Sequence, residues 1–146
     1  MSAPLWSGQG VVLADTSAWI VARRIPRARE LLLAAVERGD VAWCWPVRYE
    51  LMVDARGSEA IAVVDRTLEG LREIPVDRAV QRGVLAVMRD LAAQGSHGSH
   101  RLPLTDLTVA VAAQHAGLDV LHHDHHFERV ADLLGIRALW VAEPTG

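Results

Sequence analysis

An apolar run that stops at a carboxylate constrains the fold of this chain more than any other feature. Residues 11–14 are all apolar, a pattern typical of a short strand buried on both faces. The run ends at Asp15, and Thr16 or Ser17 can cap a helix that begins near Ala18. In open α/β sheets, ligands bind where strands end and helices begin. We therefore expect Asp15 to lie at the ligand-binding edge of a sheet.

The same alternation of strands and helices continues along the chain. Further strands are predicted at 41–44, 71–76, 119–121 and 136–141, and helices at 18–24, 26–38, from Pro46 onward, 59–69, 77–93, from about 106 to 115 and 127–134. We find no internal repeat and no interdomain linker. The pattern predicts one α/β domain over residues 1–146, with a mostly parallel sheet of about five strands and helices on both faces. The leader 1–10 and the tail 143–146 are expected to be loosely ordered.

Composition excludes several classes of protein. Half of the residues are hydrophobic and the net charge is −3, which is typical of a globular domain and argues against nucleic-acid binding by bulk charge. No apolar run approaches the ~20 residues of a membrane span, and the N-terminus lacks the pattern of a signal peptide. The single cysteine, Cys44, lies among apolar residues, so we expect a buried thiol and a cytoplasmic protein.

Four carboxylates occupy similar places relative to the predicted strands. Asp15 ends the first strand, Glu50 lies one turn inside the helix after the second, and Asp124 follows the fourth directly. Asp106 precedes an Ala-rich helix, where an Asp is favoured as a cap and by the helix dipole. Because the carboxyl ends of parallel strands share one edge, we expect these four side chains to converge.

Converging carboxylates repel one another, and their ionised forms persist only around a positive charge. A hard divalent cation that prefers oxygen ligands, Mg²⁺ or Mn²⁺, is the natural candidate. Such ions activate water and stabilise the charge that develops on a phosphoryl group. The four acids therefore predict hydrolysis of phosphodiesters.

The four acids lie in four short motifs, which are LADTS (13–17), YEL (49–51), TDLTVA (105–110) and DHHF (124–127). Taken in order, these motifs resemble those of PIN-domain ribonucleases, and most closely the VapC toxins of type II toxin–antitoxin systems. The resemblance covers nearly the whole chain in order, spacing and strand–helix context. It implies a three-layer α/β/α fold of the PIN type.

The resemblance also implies an activity, a cofactor and partners. The activity is that of an endoribonuclease dependent on Mg²⁺, which Mn²⁺ can replace. The family's catalytic, metal-binding acids correspond to Asp15, Glu50, Asp106 and Asp124, and the hydroxyl that supports the first Asp corresponds to Ser17 or Thr16. The family further implies a homodimer with an RNA substrate. It also implies inhibition by a small cognate antitoxin, whose C-terminal segment lies over the toxin's helices and active site.

The histidines around Asp124 depart from the family's pattern. His126 stands where many relatives carry an acid or an Asn, so it is a candidate for contact with substrate instead. Together, His122, His123, His125 and His126 could hold a transition metal, but their spacing matches no zinc motif. We favour the interpretation that they are loop residues. Arginines near the predicted site are candidates for RNA contact, namely Arg23, Arg24 and Arg48.

Other functions fit the acids less well. A response regulator, with its phosphoacceptor Asp, needs a lysine beside the acidic pocket, and this chain has none. A dehalogenase-type phosphatase needs a second Asp two residues after the first, where Ser17 stands. Two alternatives within the family stay open: an RNA-processing nuclease without an antitoxin, and a catalytically degenerate RNA-binding module. The presence of all four acids favours an active enzyme.

Overall fold

The computed structural model describes residues 4–95 and 102–144. Most of the Gly/Ser/His-rich stretch that is predicted to be a loop (95–100), and the outermost residues of the leader and tail, lie outside these ranges. The described strands are β1 (Val12–Ala14), β2 (Val41–Trp43), β3 (Arg72–Glu73), β4 (Asp119–His122) and β5 (Ala138–Trp140). The described helices are α1 (Thr16–Ala22), α2 (Pro26–Arg38), α3 (Trp45–Asp54), α4 (Ser58–Glu69), α5 (Arg78–Ala93), α6 (Leu104–Ala116) and α7 (His125–Leu134).

All five strands form one parallel sheet in the order β3-β2-β1-β4-β5. The predicted parallel sheet of about five strands is therefore confirmed. The chain builds outward from β1 through β2 to β3, then returns to the other side of β1 with β4 and β5. This reversal places a topological switch point between β1 and β4, where open α/β sheets bind their ligands.

Alternating strand residues divide the core into two hydrophobic layers. Val12 and Ala14 face α1 and α2 on one side of the sheet, where they pack with residues such as Leu32. Leu13 faces the opposite side and packs with residues of α3, α4, α5, α6 and α7, including Val109 and Phe127. Successive side chains of a strand point to opposite faces, so a three-residue strand without polar groups suits burial on both. The structure thus has the three-layer α/β/α architecture.

Two helices, α1 and α6, begin earlier in the chain than predicted and have different cap residues. The first helix begins at Thr16, and its cap is Asp15, whose side chain accepts a hydrogen bond from the backbone N–H of Ser17 at 3.3 Å. Neither Thr16 nor Ser17 is the cap. The cap of α6 is Pro103, which makes no side-chain hydrogen bond, so Asp106 lies inside the first helical turn.

Residues 4–6 of the predicted leader pair with β5, so the expectation that the leader is loosely ordered is wrong for this part of it. The backbone N–H of Trp140 donates to the carbonyl of Pro4 at 3.0 Å, and the N–H of Trp6 donates to the carbonyl of Trp140 at 2.8 Å. Leu5 forms a parallel bridge with Trp140 between these two bonds. The Trp6 side chain is buried against the α1–α2 layer. Among the described residues, no helix is long and apolar enough to cross a bilayer.

Candidate active site

Three of the four predicted acids follow strands of the sheet, and the fourth, Asp106, lies in the first turn of the helix that precedes β4. Asp15 and Asp124 cap α1 and α7 directly after β1 and β4, the strands that flank the switch point. Glu50 projects from α3 after β2, and Asp106 projects from the first turn of α6. The charges of the other three acids each raise the pKa of Asp106. The fold therefore brings the four carboxylates into electrostatic contact.

Asp15 is the most buried of these acids, with 4% of its surface exposed. Burial raises the pKa of its carboxyl, although hydrogen bonds from Ser17 and Thr16 oppose this shift. Its backbone N–H donates to the carbonyl of Leu121 at 2.9 Å, which fixes the end of β1 against β4. A buried carboxylate whose hydrogen bonds do not outweigh the cost of burial favours a cation nearby.

The two predicted supporting hydroxyls hold different acids. The Ser17 hydroxyl donates to Oδ2 of Asp15 at 2.7 Å and accepts the backbone N–H of His123 at 2.9 Å. The Thr16 hydroxyl instead donates to Oε1 of Glu50 at 2.6 Å. Ser17 thus joins the ends of β1 and β4, whereas Thr16 ties α1 to α3.

The pKa of Asp106 is also raised well above its ordinary value. Desolvation raises the pKa of its carboxyl to about 7, and Asp15, Asp124 and Glu50 add to the shift, while His126 opposes it. Near neutral pH, about half of this group is therefore protonated in the absence of a bound cation. Such a site favours any ligand that supplies positive charge.

His126 contacts the fourth acid. Its backbone N–H donates to Oδ1 of Asp124 at 2.9 Å, and its ring Nδ1 lies 3.2 Å from the same oxygen. The ring is mostly exposed, with 80% of the side chain open to solvent. The role of His126 in contacting substrate stays a prediction.

The interpretation of the four histidines as loop residues is wrong for three of them. His122 is the last residue of β4 and is fully buried, and its ring packs on Trp140 with centroids 4.6 Å apart. Burial lowers the pKa of His122 to about 4, so the ring is neutral at physiological pH. His125 and His126 open α7. The sequence signal for His122 is its place directly after the apolar pair 120–121.

The donor chemistry of the edge fits a hard divalent cation, since every predicted ligand is a carboxylate oxygen. Within residues 4–95 and 102–144, no group of three or more His, Cys, Asp or Glu side chains already has the spacing of a metal site. The four carboxylates therefore share an edge and repel one another without surrounding a common point. The same finding does not support a transition-metal site among the described histidines.

Two predicted RNA-contacting arginines make contacts inside the domain. Arg48 donates to Oδ1 of Asp65 at 2.6 Å and lies over the ring of Trp43, 5.2 Å from its centroid. Arg23 forms an ion pair with Asp54. Cys44 is buried, as predicted, and burial raises the pKa of its thiol to about 12.

The structure has two surfaces that the motifs do not indicate. An open pocket beside Glu50 and Thr16 is lined also by Ile20, Tyr49, Val53, Asp54 and Arg56. An apolar groove of about 270 Å³ lies between α1–α2 and α3–α4. Its walls come from Trp19, Ala22, Arg23, Arg29, Leu32, Leu33, Leu51, Val63, Val64, Thr67 and Leu68. The sequence signal for this groove is the presence of apolar residues on the outer faces of several helices. Sequence alone does not show which of these helices pack side by side.

The raised pKa of Asp106 predicts a dependence of stability on pH. In the unfolded chain this carboxyl ionises near 3.8, and in the folded chain near 7. Because the folded state binds the proton more tightly, the group's stabilising effect is full below pH 4 and is lost as the pH rises towards 7. Asp106→Asn should therefore melt close to wild type near pH 4 and about 2–4 °C higher, or more, at pH 8 in chelator.

The exposed Asp132→Asn on α7 is the matched control and should show no such divergence. A gap between Asp106→Asn and wild type that is the same at pH 4 and pH 8 would contradict the prediction.

Known proteins resemble this chain in sequence and in fold. The family model of the PIN domain matches residues 12–133 of this chain. Ribonuclease VapC18 of Mycobacterium tuberculosis is 31% identical over 131 residues, covering 90% of this chain and 95% of that protein. Ribonuclease VapC21 of the same species is 32% identical over 125 residues, covering 82% and 86%. The DNA-bound VapBC structure from Salmonella typhimurium has a TM-score of 0.71 at 20% identity, covering 92% of this chain and 100% of that one. This chain therefore belongs to the PIN-domain family, together with the VapC ribonucleases.

Proposed function

We propose that this protein is a metal-dependent endoribonuclease that serves as the toxin of a toxin–antitoxin pair. The observation that carries the proposal is the group of four acids at the switch point, where burial, and then the charges of the other three acids, raise the pKa of Asp106. The names of its relatives, ribonucleases VapC18 and VapC21, support RNA as the substrate. A solved neighbour from Mycobacterium tuberculosis, described as a member of the VapBC family of toxin–antitoxin systems, supports an antitoxin as the partner.

The cofactor in this proposal is Mg²⁺, which Mn²⁺ can replace. The residues that would hold it are Asp15, Glu50, Asp106 and Asp124. When bound, such an ion lowers the pKa of water and stabilises charge on the phosphoryl group. It would also offset the repulsion among the acids, which burial strengthens.

The chain's own residues orient the acids and admit the substrate. Ser17 holds one oxygen of Asp15, and Thr16 holds one oxygen of Glu50, so neither carboxylate turns freely. Arg56 lines the pocket beside Glu50, where its guanidinium can bind the phosphate of an approaching RNA strand. Fixed acids reduce the reorganisation needed when the substrate binds.

Replacing a central acid should abolish cleavage without unfolding the chain. Asp15→Ala or Asp106→Ala should lower the rate of RNA cleavage in Mg²⁺ or Mn²⁺ by at least about 100-fold, because each removes a predicted metal ligand. Wild-type cleavage should stop in excess chelator and return when the metal is restored. The measurement is cleavage of a fluorescently labelled RNA under single-turnover conditions.

Asp132→Asn serves as the control for loss of one negative charge and should cleave RNA at the wild-type rate. Wild-type activity in Asp15→Ala, or activity that persists in chelator, would overturn the metal-site assignment. Tight RNA binding by the wild type without cleavage would favour the degenerate binding module.

The apolar groove between α1–α2 and α3–α4 is the candidate surface for the antitoxin. Leu33 and Val63 line it with 53% of their surfaces exposed, and Arg29 lies among the lining residues. Such a groove suits the apolar face of an amphipathic helix, which is a common mode of peptide recognition. Leu51 of α3 lines the groove, whereas its neighbour Glu50 lines the open pocket, so α3 contributes side chains to both surfaces.

A charge in this groove should release the antitoxin. Val63→Asp should weaken the binding of the cognate antitoxin at least about 10-fold, because it places an unpaired carboxylate against the apolar partner surface. Binding is measured by titration calorimetry with the small protein encoded beside this gene. Leu133→Asp, at an exposed leucine of α7, should bind normally. Unchanged affinity in Val63→Asp would exclude the groove, and no binding by wild type would favour a stand-alone nuclease.

A homodimer is the second assembly that the family implies. Trp45, Tyr49 and Val53 recur every four residues along α3 and are 55%, 62% and 68% exposed. A two-fold interface buries the same patch on both subunits, so an apolar stripe along one helix suits self-association.

We expect the wild type to sediment at twice the mass of one chain and Val53→Arg to sediment as a monomer, because two facing arginines would repel across the axis. Leu85→Arg, at an exposed leucine of α5, should remain dimeric. A monomeric wild type, or a dimeric Val53→Arg, would contradict the proposed surface.

A further inference from the structure

His122 is the last residue of β4 and lies two positions before the fourth acid, Asp124. Its carbonyl accepts the N–H of Val141 at 3.0 Å, and the carbonyl of the preceding Leu121 accepts the N–H of Asp15 at 2.9 Å. Both neighbouring strands therefore hold the end of β4 in place. The position of Asp124 then depends on how the two following peptide groups are fixed.

Two side chains fix these peptide groups. The N–H of His123 donates to the Ser17 hydroxyl at 2.9 Å, and the N–H of Asp124 donates to Nδ1 of His122 at 3.1 Å. The Asp124 carboxylate then accepts the N–H of His126 as the cap of α7. The turn from β4 into α7 is thus held at consecutive backbone N–H groups, first by Ser17 and then by His122.

The hydrogen bond to Asp124 also decides which ring nitrogen of His122 carries the proton. A backbone N–H can only donate, so Nδ1 presents its lone pair and the neutral ring carries its proton on Nε2. Nε2 is buried and has no hydrogen-bond partner in the described part of the chain. The ring lies against Trp140 and against Phe127, whose centroid is 5.3 Å away.

This arrangement is unfavourable for a residue that only fills space. A buried donor without a partner typically destabilises a protein by about 1–3 kcal/mol. Phenylalanine would fill the same apolar site without that loss. A polar ring at this position therefore calls for a role that needs Nδ1.

We propose that His122 is a positioning residue that sets the backbone of Asp124, and thereby the place of the fourth carboxylate, through its Nδ1 acceptor. For its catalytic consequence the proposal rests on the ribonuclease function proposed above. It separates His122 from His123, whose ring Nε2 lies 3.1 Å from the carbonyl oxygen of Glu143, and from His126, whose ring lies beside the side chain of Asp124.

Two substitutions separate positioning from packing. His122→Phe keeps a ring and removes the acceptor, whereas His122→Asn places its side-chain oxygen near the position of Nδ1 and removes the ring. We expect His122→Phe to melt at or above the wild-type temperature, with kcat lowered at least 10-fold and KM unchanged. We expect His122→Asn to melt lower, because ring contacts are lost, with kcat within about 3-fold of wild type.

Amide hydrogen exchange by NMR tests the contact independently of cleavage. The Asp124 amide should be protected in wild type and in His122→Asn, and it should exchange at least 10-fold faster in His122→Phe. His115→Phe, at an exposed histidine near the end of α6, is the matched control and should leave exchange and kcat unchanged.

Each outcome bears on one proposal. Equal protection of the Asp124 amide in His122→Phe and in wild type overturns the positioning role. The role is also overturned if kcat falls only in the variant that melts at a lower temperature. A wild-type protein that cleaves no RNA overturns the proposed function instead, and the exchange experiment still decides the role of His122.

Discussion

Burial of the Asp15 carboxylate is the constraint on which the rest of the site depends. The apolar strand β1 ends between two parallel neighbours, so its last side chain enters a region that water scarcely reaches. A charge there is unfavourable unless donors or a cation compensate it. The Ser17 hydroxyl supplies one donor and, by accepting the backbone N–H of His123, connects this carboxylate to the turn that carries Asp124. The ends of two strands are thereby coupled through one hydroxyl.

Much of the fold could be predicted because its signals are local. Apolar runs such as 11–14 and 41–44 have little alternative to buried strands, and Gly39 and Gly117, both at positive φ, end helices where the sequence indicates. The acids could be predicted because parallel strands bring their ends to one edge. Parallel strands need a crossover between them, which is usually a helix. The alternation of strands and helices therefore predicts helical layers on both faces of the sheet.

The remaining details depend on contacts between distant residues. Asp15, and not a hydroxyl residue, caps α1. The hydrogen bond from the backbone N–H of Asp15 to the carbonyl of Leu121 fixes the end of β1 and therefore the start of the helix. Thr16 contacts Glu50 across 34 positions, a pairing that no local pattern contains. His122 resembles a loop histidine in sequence, yet its pairing with Trp140 in β5 makes it the end of a strand. Sequence patterns identify the chemical groups, whereas the packing decides what each one holds.

The segment of residues 4–6 along β5 has a consequence for how copies of this protein can meet. Unpaired backbone groups on an outer strand can recruit a strand from another molecule, which leads to aggregation. Here the N-terminal residues already occupy those groups of Trp140, and the opposite outer strand is only two residues long with charged side chains, Arg72 and Glu73. Growth of the sheet from one molecule into the next is thereby discouraged at both margins. Association is left to the helical surfaces, where side-chain chemistry can select the partner.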